Sequence, residues 1–228
     1  MNITYFIEKQ EPSATVLAIT LIYITSLILN SKISTKNSLS QFQQDVIRKI
    51  LGFLLFTLIP VLMIHFSYKQ RLAEYGVGLP VKIYFFLISL GLYFATFPFL
   101  LLYSKTDEGE KKFKNSFGKN ETLRHTFSRA VCWIIYIGGY EFSFRGFLLF
   151  SLYKTWGSVP AIVISTAIYS LTHTNKGIGE TAGSLIIGFV FGSIALSSRS
   201  FIPSFLTHVL IALTIDIILS IKYGNKRN

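Results

Sequence analysis

Charge is what this chain has least of. Only 14% of its 228 residues are Asp, Glu, Lys or Arg, against about 25% in an ordinary soluble domain. With 51% of its residues apolar, it lacks the polar side chains needed to cover a water-facing surface. It has one cysteine, Cys132, which excludes a disulfide scaffold. Its apolar content excludes intrinsic disorder. Neither an internal repeat nor a low-complexity stretch is visible. Acidic residues are scarce too, 11 against 22 Lys and Arg, which leaves a net charge of +11. That excess is not the mark of a nucleic-acid binder. The bases sit between long apolar runs, where loop charge beside membrane spans explains them, and no nucleic-acid partner is expected.

A run of about 17–25 mostly apolar residues can cross a bilayer as a helix. Seven such runs are present, over 13–30, 50–66, 81–103, 127–153, 158–173, 181–198 and 201–221. They predict an all-α fold: a polytopic transmembrane bundle of about seven helices (six to eight), forming one membrane-embedded domain over 1–228 with lipid as its surroundings. The first run follows the charge-mixed stretch Glu8, Lys9, Glu11. It precedes no small-residue cleavage site, so it reads as a retained helix. The fourth run is 27 residues long and carries charge, which predicts a helix that is tilted, broken or partly interfacial. With seven spans, 15 Lys and Arg fall on one side and 6 on the other. The positive-inside rule then places the N-terminus outside and the C-terminus in the cytoplasm, as for a multi-pass protein of a bacterial inner membrane. The basic loop from Lys105 to Arg124 reads as this topology signal rather than as a specific anionic-lipid site.

Of the 11 acidic residues, only Glu141, Glu180 at the start of the sixth run, and Asp216 fall in the apolar runs, and Arg145 is the only Lys or Arg well inside one. Each such group costs roughly 2.5–3.5 kcal/mol at a helix centre. Glu141 and Arg145 are four residues apart and share a helix face, so they can pair. A structural ion pair that locks helix packing is one reading. The histidines point to another. His173 ends the fifth run and His208 lies about two turns into the seventh. One carboxylate and two imidazoles on three helices are parts for activating water and stabilising an oxyanion. Glu141, His173 and His208 are equally a donor set for a divalent metal such as zinc. A lone intramembrane histidine is commonly a packing hydrogen-bonder; two beside a carboxylate are a stronger signal.

The string GGYEFSFRGFLLFSLY (Gly138 to Tyr153), then Tyr169-Ser-Leu-Thr-His173, then His208 shortly after Ser-Phe-Ile-Pro, resembles the CPBP family. That family comprises the CAAX proteases and bacteriocin-processing enzymes, also called the Abi family of intramembrane proteases. The resemblance spans about 71–216, and Arg71-Leu-Ala-Glu-Tyr-Gly-Val-Gly-Leu is similar to a segment that often precedes the family's core. It implies an intramembrane endopeptidase, labelled in the family as a glutamate-dependent enzyme or a metalloprotease, that acts on a membrane-associated peptide or protein. It also implies catalytic roles for Glu141, Arg145, His173 and His208. Three positions depart from the family's motifs. Tyr140 stands where the first glutamate of Glu-Glu-x-x-x-Arg would be, Tyr169 replaces the Phe of Phe-x-x-x-His, and Ala212 replaces the Asn of His-x-x-x-Asn. Loss of the first Glu and of the Asn fits a second class, a catalytically inactive CPBP immunity or scaffold protein. A transporter is disfavoured because no broken helices recur in two halves.

Two further acids accompany the motif histidines as supporting residues. Asp216, eight after His208, is near it in helical angle and is expected to orient its ring. Glu180, seven after His173, is either a further site acid or a partner of the helix dipole. Depth is the open point of this reading. With straight helices, Glu141 and His173 lie roughly 18 and 22 Å from the outer boundary and His208 only about 10 Å. A shared site needs tilt, a re-entrant piece or different spans.

Overall fold

The computed structural model describes residues 3–36, 38–116, 123–174 and 177–224. Among them no strand occurs, and the chain is a bundle of helices. Lys119, Lys176, Lys226 and Arg227, part of the charge asymmetry above, lie outside the described residues. The helices are α1 (Ile3–Ser34), α2 (Gln41–Leu62), α3 (Tyr84–Tyr103), α4 (Asp107–Ser116), α5 (Leu123–Glu141), α6 (Leu149–Trp156), α7 (Ser158–Leu171), α8 (Ile178–Ser198) and α9 (Ile202–Gly224). Among the described residues, five helical stretches are long and apolar enough to cross a membrane: Glu11–Ser34, Gln41–Ser67, Tyr84–Tyr103, Ile178–Ser198 and Ile202–Tyr223. They correspond to five of the seven runs. The fourth run is one helical passage interrupted by a π-helical stretch, Phe142–Leu148, between α5 and α6. The fifth is α7, only 14 residues long.

Local chemistry sets the boundaries. At the start of α2, Ser40 Oγ accepts from the Gln43 N–H (3.2 Å) and the Gln43 side chain accepts from the Ser40 N–H (2.9 Å), so two orphan donors are satisfied reciprocally. α4 is the polar exception, with Asp107, Glu108 and Glu110 in its first turn, where the helix dipole favours negative charge. Its Phe113 packs on Ile215 and Leu219 of α9. α3 is apolar all round and leaves Leu87 and Phe99 each 70% exposed, as expected of side chains that face hydrocarbon. α7 and α8 approach closely through small residues. Ser184, Gly188 and Gly192 are spaced by four on α8, and a Cβ at Gly188 would meet Thr166 Cγ2 at 2.9 Å. Ser184 and Ser170 join hydroxyls across this seam at 2.6 Å. Lipid offers no hydrophobic drive for helix association, so close backbone packing and such bonds hold the pair.

The connections gather at two ends. At one end Lys154 pairs with Glu74 (3.6 Å) and bonds Gln70, while Tyr75 donates to Glu11 Oε1 (2.6 Å). Gln70 Nε2 donates to the other Glu11 oxygen at 3.1 Å. Glu11, outside the apolar runs by sequence, is thus 2% exposed and part of the packed interior. Burial pushes the Tyr75 hydroxyl well above its ordinary pKa and that of Tyr68 to about 12, which keeps both protonated as donors. At the other end Lys222 Nζ donates to Ser104 O (2.6 Å), Tyr103 donates to Glu180 (2.7 Å), and Asp45 pairs with Lys49 and Arg129.

The turn between α8 and α9 is buried, with Ser198 and Ser200 each at 0% exposure. Residues 76–81 roof it: Val81 N–H donates to Ser198 O (3.0 Å), Phe201 N–H to Gly76 O (3.2 Å), and Ser200 Oγ to Gly78 O (2.5 Å). Gly76 has φ +72, and a Cβ there would meet the ring of Phe150 at 2.9 Å and Phe201 N at 3.2 Å. Only glycine allows this roof to close. α9 therefore starts inside the bundle, and His208 is carried to the depth of Glu141.

Candidate active site

Glu141 is the last residue of α5, where the helix widens into the π-helical stretch. All seven residues of that stretch are buried, and such stretches recur at functional sites because they re-aim side chains. Glu141 is fully buried, at 0% exposure. Its Oε1 lies 2.6 Å from His208 Nδ1 on α9, and the two oxygens are each 3.4 Å from Arg145, Oε1 from Nη1 and Oε2 from Nε. The ion pair predicted from the four-residue spacing is present. The Arg145 guanidinium is also sandwiched by aromatics, 3.8 Å from the ring centre of Tyr169 and 5.3 Å from that of Phe191. Cation–π contact of this kind helps hold a desolvated guanidinium. Glu141 Oε2 and Arg145 Nη2 are buried atoms with no hydrogen-bond partner among the described residues.

His173 follows α7, one residue past its C-cap. Its ring lies 4.7 Å from that of Tyr169, and the ring of Tyr140 contacts both imidazoles, 6.4 Å from His173 and 6.1 Å from His208. Glu141, Arg145 and His208 thus meet from α5, the π-helical stretch and α9, and Tyr140 is the neighbour common to His208 and to His173 at the end of α7. An apolar cavity of about 450 Å³ lies between α2, α5 and α9; Phe53, Val61, Gly138, Phe142 and Phe205 are among its lining residues, Gly138 and Phe205 each three residues before Glu141 and His208.

Two of the supporting acids are elsewhere. His208 is oriented by Glu141, and Asp216 instead faces Lys112, Lys49 and Arg129. Eight helical residues place it about 12 Å along α9, too far to share the same imidazole. Glu180 stands in the first turn of α8, hydrogen-bonded by Tyr103 and 4.0 Å from Lys112. Both belong to the opposite end of the bundle.

Among the described residues, no three His, Cys, Asp or Glu side chains are arranged to hold a metal ion. Glu141 occupies the Nδ1 edge of His208, so it cannot join a metal bound at that ring's Nε2. Sequence reading missed two contributors. Phe191 closes over Arg145, and Thr172, next to His173, reaches both Tyr140 and the His173 ring. A Phe in an apolar run carries no sequence signal. A Thr beside a motif histidine at a helix end carries a weak one.

The site is thus a buried Glu–Arg pair with His208 bonded to the carboxylate, set in a bundle that has, among the described residues, five helical stretches long and apolar enough to cross a membrane. Residues 125–214 match the family model of the type II CAAX prenyl endopeptidases, Rce1-like. The match bears out the resemblance over the segment that holds Glu141, Arg145, His173 and His208, and it supports a peptidase of the intramembrane kind. No curated protein and no solved structure matches the chain.

Proposed function

We propose that this protein is an intramembrane endopeptidase that hydrolyses a membrane-associated peptide or protein with water activated by a Glu141–His208 dyad. The observation that carries the reading is the 2.6 Å contact between the buried Glu141 and His208 Nδ1. Arg145 keeps Glu141 ionised, and the carboxylate accepts the Nδ1–H. His208 Nε2 then carries the lone pair that takes a proton from water. The hydroxide oxygen bonds the scissile carbonyl carbon. As the tetrahedral intermediate collapses, the C–N bond breaks and the proton on Nε2 passes to the leaving amine. His173 supplies the second imidazole beside the attacking water. The cavity lined by Gly138 and Phe205 takes apolar substrate surface next to the reacting bond.

Purified protein in detergent, offered membrane-peptide substrates, should release product at the same rate with and without a chelator. Loss of release on chelation and recovery with zinc would put a metal in the reaction. Absence of any release from the wild type would sink the peptidase reading. It would favour the inactive CPBP immunity or scaffold class, for which Tyr140 and Ala212 are the supporting observations.

The orientation proposed is N-terminus outside and C-terminus in the cytoplasm of a bacterial inner membrane. The charge count supports it, because the bases of 104–116 sit on the same end as Lys222. With Cys132 replaced, a single cysteine at position 115 should react with membrane-impermeant reagent only in inside-out vesicles. Labelling from intact cells alone would reverse the topology.

A further inference from the structure

We propose that Thr172 and Tyr140 act as positioning residues that fix His173 in its Nδ1–H tautomer. The inference rests on the peptidase reading for its consequence but not for its chemistry. α7 ends at Leu171, so the carbonyl of Tyr169 is among those left without a helical partner. Three donors converge on that carbonyl or beside it. Thr172 N–H donates to Tyr169 O at 3.1 Å, Thr172 Oγ1 donates to it at 2.6 Å, and His173 Nδ1 lies 3.3 Å away.

A proton inventory then assigns a direction to each bond. Thr172 has a single hydroxyl proton, and we assign it to the 2.6 Å bond to Tyr169 O, a partner that can only accept. Thr172 Oγ1 is left with its lone pairs. Tyr140 OH, 2.5 Å away, must donate to one of them. His173 Nδ1, 3.1 Å from the same oxygen, must donate to the other. Both acceptors facing Nδ1 demand a proton there, so Nε2 carries the ring's lone pair. Tyr140 has a second hold on the ring through their aromatic contact. The hydroxyl of Tyr140 thus serves, at the place of the CPBP family's first glutamate, to organise an imidazole through Thr172. The charged and titratable neighbours of this cluster include Arg145, Tyr169 and Tyr136, which stacks on Tyr140, with Glu141 and His208 across the Tyr140 ring.

The test is ¹⁵N NMR of histidine-labelled protein in detergent, with the four histidines assigned by substitution, alongside kcat, KM and the pH profile of cleavage. In the wild type His173 should show the Nδ1–H pattern. Thr172→Val, which keeps the shape and removes the hydroxyl, should mix the tautomers. It should lower kcat roughly 10–100-fold, the usual effect of removing a partner that orients a functional imidazole, with KM unchanged. Thr172→Ser should restore both the spectrum and the rate, and Tyr140→Phe should give a smaller change in the same direction. An Nε2–H pattern in the wild type, or a wild-type spectrum in Thr172→Val, overturns the proposal. The predicted spectra in a protein that cleaves nothing would uphold the positioning and remove the peptidase reading.

Discussion

Arg145→Leu should destabilise the protein by about 3–5 kcal/mol, the range for removing one partner of a buried ion pair. Glu141 is fully buried, and its nearest cation after Arg145 is a histidine that is charged only when protonated. Without the guanidinium the carboxylate stays desolvated beside aromatic side chains, with one strong hydrogen bond instead of a paired charge. The loss extends beyond the pair, since Arg145 also stacks on Tyr169 and approaches Phe191. Leucine cannot replace that contact. The pairing itself can be separated from the stacking. If charge dominates, Glu141→Gln together with Arg145→Leu should be more stable than Arg145→Leu alone, because the uncompensated carboxylate is then gone. Thermal unfolding in one detergent reads all three variants. A wild-type melting temperature for Arg145→Leu would count against the pair as a stabilising contact.

Glu141→Gln and His208→Ala should each reduce the cleavage rate by about a hundredfold or more. The pair acts as one unit, so the double variant should be no worse than the poorer single one. Glutamine is nearly isosteric and still offers an oxygen to His208 Nδ1. It holds no negative charge against the imidazolium that forms when water is deprotonated. Glu141→Gln leaves the buried Arg145 without its counter-charge, so it should lower the melting temperature as well as turnover, though by less than Arg145→Leu, because Arg145 keeps its contact with the Tyr169 ring. Equal turnover in Glu141→Gln and wild type would remove the carboxylate from the chemistry. A cellular phenotype that survives Glu141→Gln combined with His173→Ala would exclude proteolysis as its cause and leave the non-catalytic class standing.

The site residues differ in how far they could be read locally. Glu141 and Arg145 were legible because a charge in an apolar run is costly, and a spacing of four puts two such charges on one face. His173 and His208 were legible through their motifs. Asp216 misled because angular proximity on a helix ignores axial distance. It shares a side of α9 with His208 but lies two turns away, among Lys49, Lys112 and Arg129. Glu180 stands in the first turn of α8, the helix-dipole position that was one of its two readings, and its donor Tyr103 comes from a helix far away in sequence. Glu11 was placed outside because charged neighbours precede it; the acceptors it offers are filled by Tyr75 and Gln70, donors nearly sixty residues or more away.

By itself the sequence determined the medium and the class of fold. Scarce charge, seven apolar runs and loop-confined bases admit a helical membrane bundle and little else, because backbone groups in hydrocarbon must be satisfied within each helix. It also determined which side chains would be costly to bury, and so where chemistry was to be sought. Tertiary structure alone decided that these groups meet. The straight-helix depths left His208 well above Glu141. Contact requires α9 to begin inside the bundle beneath residues 76–81, with Gly76 at φ +72 to let that roof close. It equally requires α7 to stop after 14 residues, so that its unsatisfied carbonyl and Thr172 hold the His173 ring. Depth and register between helices depend on contacts across the whole bundle, and no local pattern in the chain encodes them.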